Sequence, residues 1–420
     1  MSWVERDAAV VWHGFTQMSA YADNTPVIVE AGEGRELIDV DGKRYLDAIS
    51  SLWVTTLGHR VPELDDAVRL QLDRVAHSTM LGNGNRVVIE LSEALADVVP
   101  VDNPHFLYAA DGATAVEQAL KVAFQHWTNR GVNGRSTFVA LAGAYHGDSV
   151  GALSVGDGGF GTDVFDPLRF PVLRAQSLAG AAEIVRSEHD RLAAVIIEPL
   201  VQGAAGMVLH EPAAVRDLAV ACAATGTLLI CDEVATGFGR TGSLFASEQC
   251  GIRPDILVLG KAITGGYLPM SATVASERVF SAFLGPDLSE RTLYHGHSYG
   301  GNALAAAVAL RHLQLIDEWD VLANVQARSQ QLRALLDQCV ASDPAVKEVR
   351  LRGLMGGVEL APPADELRWG RRVCAAAVRR GVLLRPLGDV VVLMPMLTST
   401  AEEIERIVDV LAQAIDEVCA

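Results

Sequence analysis

The chain has 420 residues, half of them hydrophobic and a fifth charged, which excludes a disordered protein and allows a large core. Its formal net charge of −18 argues against nucleic acid or an anionic membrane as the main partner. The six cysteines form no C-x-x-C pair, the first residues lack the order of a signal peptide, and no apolar run could span a bilayer, so we expect a soluble cytoplasmic protein with reduced thiols.

The first predicted elements form a small antiparallel meander. Short runs of apolar residues, bounded by charged residues, lie at 28–30, 36–40 and 44–46. Asp41-Gly42 lies between the last two runs and is typical of a tight hairpin turn.

The first motif with chemical meaning lies where an apolar run, 106–110, meets a helical pattern. Asp111-Gly112-Ala113-Thr114 follow this run, and apolar residues then recur at helical spacing from Val116 to Trp127. Small residues at a helix N-terminus let backbone amides approach a phosphate, and the helix dipole favours its charge. Tyr145, which follows a second apolar run, is placed to stack on a flat ring.

A glycine-rich segment suggests a different chemistry. Gly156, Gly158 and Gly161 have the spacing of the dinucleotide fingerprint. The residues that follow contain two prolines and show no helical period, so a loop is the better interpretation.

A second competing motif resembles the nucleophile elbow of hydrolases. Gly296-His297-Ser298-Tyr299-Gly300 fits G-x-S-x-G, with an expected strand at 292–294 before it and a helix from Asn302 after it. A serine nucleophile needs a histidine base, and the one histidine after Ser298 is His312, inside the predicted helix. A serine hydrolase is therefore a distant alternative.

Short apolar runs alternate with Ala-rich helical stretches in the middle of the chain. The runs at 195–197, 228–231 and 256–259 end in polar residues or glycine and are typical of buried parallel strands. This alternation predicts an α/β fold with a mostly parallel sheet, flanked by helices, and a site at the carboxyl ends of its strands.

Asp232 and Lys261 each follow one of these runs and lie one βαβ unit apart. Neighbouring parallel strands would hold this carboxylate and this amine over one crevice. Pyridoxal phosphate chemistry requires such a pair, because the amine condenses with the cofactor aldehyde and the carboxylate keeps the pyridine nitrogen protonated. An ordinary ion pair is the alternative, and the phosphate-binding pattern at 111–114 favours the cofactor.

The chain ends differ in pattern from the middle. A long Ala-rich helix begins near residue 304, and β-rich pieces follow at 346–351, 356–360 and 390–394. We expect a large α/β domain over residues 59–303 and a smaller α+β domain built from residues 1–58 and 304–420.

The run from Asp232 to Gly242, followed by Pro254-Asp255 and Gly260-Lys261, resembles the signature of class III aminotransferases, which are fold-type I pyridoxal phosphate enzymes. The likeness extends from about residue 11 to the end of the chain. Further segments resemble the branch of this class that acts on 8-amino-7-oxononanoate in biotin synthesis. They are Trp12-His13, Ser50-Ser51-Leu52-Trp53, Tyr145-His146-Gly147-Asp148, Val201-Gln202-Gly203-Ala204 and Arg385-Pro386-Leu387-Gly388.

This resemblance implies conversion of the oxononanoate to 7,8-diaminononanoate. An ω-amine:pyruvate aminotransferase is the alternative within the class. No metal is expected. The resemblance also implies catalytic roles for Lys261, Asp232 and Tyr145, and a cofactor site made by Gly112, Ala113, Tyr145, Asp232, Val234, Lys261 and Ser298.

The resemblance assigns the substrate side as well. Arg385 matches the arginine that holds the oxononanoate carboxylate, and a guanidinium suits this task because it grips a carboxylate with two parallel bonds. The other expected substrate-binding residues are Trp53, Phe15 and Gly296, and Glu198 matches a position near the cofactor. Ser298 matches a position, usually Thr, that reaches the phosphate from the other subunit, which implies a homodimer with shared active sites.

The amino donor is expected to be lysine or S-adenosylmethionine. Enzymes of this branch that use S-adenosylmethionine usually carry a Trp pair where Leu52-Trp53 stands, a Tyr where Phe15 stands, and Gly-Pro-Thr where Gly296-His297-Ser298 stands. Loss of a ring and a hydroxyl weakens the grip on an adenosyl sulfonium, so the sequence favours lysine. Thr114 stands where Glu is common, and the sequence alone gives no physical account of it.

Overall fold

The computed structural model describes residues 1–157 and 161–419. Its α-helices are α1 (Trp3–Val10), α2 (Ser50–Trp53), α3 (Pro62–Leu72), α4 (Arg86–Ala96), α5 (Gly112–Asn129), α6 (Val150–Val155), α7 (Leu178–Glu188), α8 (Pro212–Thr225), α9 (Ala246–Cys250), α10 (Glu277–Phe280), α11 (Ala303–Glu318), α12 (Val321–Cys339), α13 (Trp369–Arg379) and α14 (Ala401–Cys419). Short 3-10 helices span Met18–Ala20, Ala22–Asn24, Thr162–Leu168, His189–Arg191, Lys261–Thr264, Ser281–Phe283 and Asp365–Leu367.

The strands follow the same numbering along the chain. They are β1 (Val29–Glu33), β2 (Glu36–Asp39), β3 (Arg44–Asp47), β4 (His105–Ala109), β5 (Thr137–Leu141), β6 (Val172–Ala175), β7 (Leu192–Ile197), β8 (Val201–Gln202), β9 (Val208–Leu209), β10 (Leu228–Asp232), β11 (Ile256–Leu259), β12 (Ser271–Ala275), β13 (Val346–Arg352), β14 (Met355–Leu360), β15 (Val382–Leu383), β16 (Arg385–Leu387) and β17 (Val390–Leu393).

A seven-stranded sheet carries the fold, in the order β4-β12-β11-β10-β7-β5-β6. Neighbouring strands from β11 to β6 are parallel, whereas β12 is antiparallel to both of its neighbours. Every residue of β7, β10 and β11 is buried, which is why these strands are continuous apolar runs. The predicted mostly parallel α/β sheet is confirmed.

Helices cover both faces of this sheet. Alternate residues of one strand contribute to opposite cores: Val195 of β7 packs in one apolar cluster and Ile196 in the other. Helix α5 buries Val116 and Trp127 in the second cluster, as its helical pattern predicts, while Phe124 on the same predicted stripe is 49% exposed.

Both ends of the chain contribute to a smaller sheet of order β1-β2-β3-β15. Strands β1, β2 and β3 form the predicted antiparallel meander, and β15 from the C-terminal part pairs in parallel with β3. A further sheet has the order β13-β14-β17-β16. The domain limits at residues 58 and 303 stay predictions.

Two local expectations are wrong. The segment 292–294 is not a strand, since the Gln125 side chain on α5 donates to the Thr292 carbonyl where a strand partner would be needed. The segment after Gly161 begins with a 3-10 helix, Thr162–Leu168, although it contains Pro167. The Arg169 guanidinium donates to the Thr162 carbonyl at 2.9 Å, so a side-chain bond and not an apolar face stabilises this helix. Gly158 of the glycine motif lies outside the described residues.

Candidate active site

Asp232 and Lys261 lie beside each other at the carboxyl ends of two neighbouring strands. Asp232 is the last residue of β10, and Lys261 comes two residues after β11, its parallel neighbour. Both side chains line a cavity of about 470 Å³, within the range of small-molecule sites. Gly112, Ala113, Tyr145 and Val234 line the same cavity.

The N-terminus of α5 forms one wall of this cavity. A Cβ added to Gly112 would lie 2.8 Å from Val234 Cγ1, so only glycine fits here. Asp111 caps the helix by accepting from the Thr114 amide at 2.9 Å, and Oγ1 of Thr114 donates to the same carboxylate at 2.8 Å. These bonds give Thr114 a structural role that the sequence did not explain. The amides of Gly112 and Ala113, at the positive end of the helix dipole, suit a phosphate group.

Asp232 is held by a histidine that sequence reasoning missed. Nδ1 of His146 lies 2.7 Å from Oδ2 of Asp232, and Oδ1 accepts from the Val234 amide at 3.0 Å. His146 is 3% exposed, and its Nε2 has no hydrogen-bond partner among the described residues. The sequence signal that could have identified His146 as a site residue was its position directly after Tyr145, beyond the carboxyl end of β5.

Glu198 and Tyr145 form the next part of the wall. The buried Glu198 carboxylate accepts from the amides of Tyr145 at 3.2 Å and Gly203 at 3.0 Å. Burial raises the pKa of Glu198 to about 7. The Tyr145 hydroxyl donates to Asp148 at 2.8 Å, and burial raises the pKa of this phenol well above its usual value.

Lys261 occupies a strained and enclosed position. Its φ is +41°, a region that side-chain-bearing residues enter at a cost of about 1–3 kcal/mol, usually at functional sites. Nζ lies 4.9 Å from the centroid of the Trp53 ring. Desolvation lowers the pKa of the Lys261 amine and the Arg240 charge acts in the same direction, against the attraction of Asp232 and Glu198. Desolvation and the Arg240 charge thus favour the neutral form of the amine, which is the form able to accept a proton.

Other predicted site residues lie outside this cavity. Ser298 and Gly296 are exposed, and the Ser298 carbonyl accepts from Nε2 of His77 at 2.8 Å. His312 is fully buried and its Nε2 bonds Oγ1 of Thr56 at 2.7 Å. The hydrolase alternative therefore has no support, since its histidine is engaged elsewhere.

Two predicted substrate-binding residues also lie outside the lining of the main cavity. Phe15 lines a smaller crevice beside it, together with Tyr145 and Asp148. Arg385 is half-buried in β16.

The residues of the main cavity fit pyridoxal phosphate. The cavity offers helix amides for a dianion, the Asp232 carboxylate for a protonated ring nitrogen and the Lys261 amine for an aldehyde. The absent Cβ of Gly112 lets the start of α5 pack directly against the Val234 side chain. Two buried side-chain nitrogens, Nε1 of Trp53 and Nε2 of His146, have no partner among the described residues. Within the same ranges, no cluster of three His, Cys, Asp or Glu side chains could hold a metal ion, and no helix is both long and apolar enough to cross a membrane.

Comparisons with known proteins agree with this geometry. The family model for class-III aminotransferases matches residues 17–415. The chain is 44% identical to the adenosylmethionine-8-amino-7-oxononanoate aminotransferase of Nitratidesulfovibrio vulgaris, over 97% of this chain and 80% of that protein. The crystal structure of the enzyme of the same name from Methanocaldococcus jannaschii has a TM-score of 0.96 and 37% identity, covering 99% of both chains. An omega transaminase from Pseudomonas jessenii in complex with PMP has a TM-score of 0.91 and 27% identity, covering 100% of this chain and 98% of that one.

The chain therefore belongs to the class-III aminotransferase family. It is a pyridoxal phosphate-dependent aminotransferase with the fold-type I architecture.

Proposed function

We propose that this aminotransferase converts 8-amino-7-oxononanoate to 7,8-diaminononanoate in biotin biosynthesis. Fold overlap is nearly equal for the relatives named after the oxononanoate and for the omega transaminase, so the fold does not discriminate between them. Sequence identity does, at 44% with the Nitratidesulfovibrio vulgaris enzyme against 27% with the omega transaminase. This difference, over nearly the whole chain, carries the proposal.

We assign the proton transfer to Lys261. When bound, pyridoxal phosphate supplies an electron sink for the carbon that loses its proton. The Lys261 amine, whose neutral form the enclosure favours, would take the proton from the α-carbon of the amino donor and deliver it to the cofactor carbon, and it would move a proton the opposite way when the acceptor is aminated. Asp232 holds the positive charge of the ring nitrogen, and His146 orients that carboxylate through its 2.7 Å contact.

The remaining residues bind and orient. The amides of Gly112 and Ala113 bind the phosphate, Tyr145 covers one ring face, and Val234 packs next to Gly112. Arg385 binds the carboxylate of the oxononanoate with two parallel bonds. Trp53, Phe15 and Gly296 line the route of the substrates.

We propose lysine as the amino donor. The relatives are named as adenosylmethionine-dependent enzymes, whereas Phe15, Leu52 and the Gly296-His297-Ser298 segment depart from the pattern typical of that donor. Phe15 lies in the crevice beside Tyr145, where it offers a ring without the hydroxyl.

We also propose a cytoplasmic homodimer in which Ser298 binds the phosphate held by the second subunit. Ser298 is exposed, and its neighbourhood presents large apolar side chains to solvent: Leu81 is 60% exposed, Tyr294 72% and Tyr299 64%. A surface of this kind is typical of an interface. Sedimentation at micromolar concentration should give twice the chain mass of 44.7 kDa. A monomeric mass would contradict the dimer.

The overlap with the omega transaminase favours an ω-amine:pyruvate aminotransferase as the second candidate. The two candidates differ in the acceptor of the amino group. The first uses 8-amino-7-oxononanoate, a long oxo acid with its own amine, and the second uses pyruvate.

Two half-reactions test the proposal. Lysine or S-adenosylmethionine is mixed with the cofactor-loaded enzyme, and the visible cofactor band is followed. We expect lysine to bleach the band and 8-amino-7-oxononanoate to restore it, with Lys261→Ala as the inactive control. Restoration by pyruvate and not by the oxononanoate would replace the leading proposal by the second candidate. Bleaching by S-adenosylmethionine alone would overturn the donor assignment and leave the acceptor standing.

A further inference from the structure

The segment that carries Trp53 has an unusual backbone. Ser50, Ser51 and Trp53 have φ values of +53°, +62° and +66°, although none of them is glycine. Ser51, with ψ of −63°, lies in the region of the rare γ-turn that side chains avoid. Strained residues of this kind persist only where their surroundings fix them, and they cluster at active sites.

The carboxylate of Asp47 fixes the start of this turn. Asp47 ends β3 and is 1% exposed. Its two oxygens accept from the Ser51 amide at 2.9 and 2.8 Å, and Oδ2 also accepts from the Ser51 hydroxyl at 3.0 Å. Nε2 of His59 lies 3.0 Å from the same oxygen. The carboxylate therefore binds the most strained residue of the turn through both its backbone and its side chain.

Other parts of the chain fix the end of the turn. The Thr55 carbonyl accepts from Nη2 of Arg240 at 2.7 Å, and Oγ1 of Thr56 bonds Nε2 of His312 at 2.7 Å. Because the segment after the turn is anchored in this way, release of Ser51 would let the intervening residues relax without moving their neighbours.

The turn sets the position of the Trp53 ring. Trp53 is 6% exposed and lines the cavity, with Nζ of Lys261 4.9 Å from its ring centroid. A Cβ added to Gly203 would come within 3.0 Å of Cζ3 of Trp53, so the ring is packed closely against Gly203. Its contact with the Lys261 amine depends on the backbone of the turn.

We propose that Asp47 is a positioning residue for the transamination. Its carboxylate holds the Ser50–Trp53 turn in the strained form and thereby keeps the Trp53 ring against Lys261. The inference rests on the proposed function only in the choice of acceptor, since the contact with Lys261 serves transamination of any ketone.

The chain offers a matched control for Asp47→Ala. Asp39, on the neighbouring hairpin, likewise accepts from the backbone, at the amides of Asp41 (3.0 Å) and Lys43 (2.8 Å), and from a hydroxyl, that of Tyr45 at 2.7 Å. Asp39→Ala removes the same kinds of bond away from Trp53. The spectroscopic readout is the part of the tryptophan emission that pyridoxal phosphate quenches in the wild type but not in Trp53→Phe.

We expect Asp47→Ala to lose most of this quenching and to slow the donor half-reaction about tenfold, while Asp39→Ala changes neither. In the Asp47→Ala background, Ser51→Gly should restore most of the quenching and rate, because glycine adopts positive φ without strain. Asp47→Asn, which keeps one acceptor for the Ser51 amide, should show quenching and a rate between those of Asp47→Ala and the wild type. It is the variant to test if Asp47→Ala does not fold.

The inference would be overturned if Asp47→Ala kept full quenching and rate, or if the double variant performed no better than Asp47→Ala. If Asp47→Ala does not fold, wild-type quenching and rate in Asp47→Asn would overturn it. Failure of the wild type to aminate the oxononanoate would overturn the proposed function alone, since the quenching pattern requires no acceptor.

Discussion

His146 and Asp232 form a buried pair, with Nδ1 of His146 2.7 Å from Oδ2 of Asp232. The second carboxylate oxygen accepts from the Val234 amide, so the orientation of Asp232 is fixed on both sides. In the role proposed for Asp232, opposite the ring nitrogen of the cofactor, a carboxylate needs this fixed direction, because its electrostatic effect depends on distance and angle.

Removal of the histidine should slow the chemistry. A hydrogen bond to a charged group contributes about 1.5–3 kcal/mol, so we expect His146→Ala to slow the donor half-reaction by about 10- to 150-fold. His146→Asn keeps an N–H donor near the Nδ1 position and should retain most of the rate. Stopped-flow measurement of the cofactor band distinguishes the variants, and equal rates in His146→Ala and the wild type would contradict the assigned role.

Arg385 should affect the acceptor and not the donor. Loss of a bidentate carboxylate contact is expected to raise the KM for 8-amino-7-oxononanoate at least tenfold in Arg385→Ala. The rate of the half-reaction with the amino donor should stay within about twofold of the wild type. The KM of Arg385→Lys for the oxononanoate should lie between those of the wild type and Arg385→Ala, because lysine lacks the planar fork. An unchanged KM for the oxononanoate would remove Arg385 from the acceptor site.

The central sheet and the cofactor crevice could be predicted because they follow from periodic patterns. Continuous apolar runs gave the parallel strands, and parallel strands bring Asp232 and Lys261 to one edge. The N-terminus of α5 followed from small residues before a helical stripe.

Features that depend on packing could not be predicted. Positive φ at Ser51 has no signal in the residue type, since serine rarely adopts it. His146 was passed over because one histidine after a strand is compatible with many environments. Side-chain bonds from α5 replaced the strand expected at 292–294, and such bonds have no sequence period.

Arg240 belongs to the class III signature, and its side chain has a structural role. It is fully buried, and its guanidinium donates to the carbonyls of Thr55 and Pro395 at 2.7 Å each. Burial lowers the pKa of Arg240 to about 9. Its charge also lowers the pKa of the Lys261 amine.

Arg240→Met leaves two buried carbonyls without donors, at about 1–3 kcal/mol each, so the free energy of unfolding should fall by about 2–6 kcal/mol. Urea titration measures this loss, and Arg240→Lys, which keeps one donor group, should lose less. With the positive charge removed, the pKa of Lys261 rises, and the pH at which the donor half-reaction reaches half its rate should move upward in Arg240→Met. A downward or absent shift would contradict the electrostatic coupling.

Glu233, next to Asp232 in the signature, is expected to set part of the pH dependence of stability. The carboxylate is fully buried and accepts from the amides of Ala246 at 2.6 Å and Ser247 at 2.8 Å, at the start of α9. Burial raises the pKa of Glu233 from 4.5 to about 7. Because the folded state binds this proton more tightly than the unfolded state, the stabilising contribution is complete below pH 4.5 and is lost as the pH rises to about 7.

Glu233→Gln removes this titration but weakens the contacts with α9, since its NH2 group cannot accept from either amide, whereas the hydroxyl oxygen of a protonated carboxyl still can. The variant should therefore be less stable than the wild type at pH 5, and the difference should narrow as the pH rises to 8. The rise in the pKa of Glu233 from 4.5 to about 7 corresponds to about 3 kcal/mol of folding free energy over the full pH interval. Urea unfolding of both proteins at pH 5, 6, 7 and 8 measures the difference, and a gap that stays constant or widens across this series would show that Glu233 is ionised in the folded protein throughout.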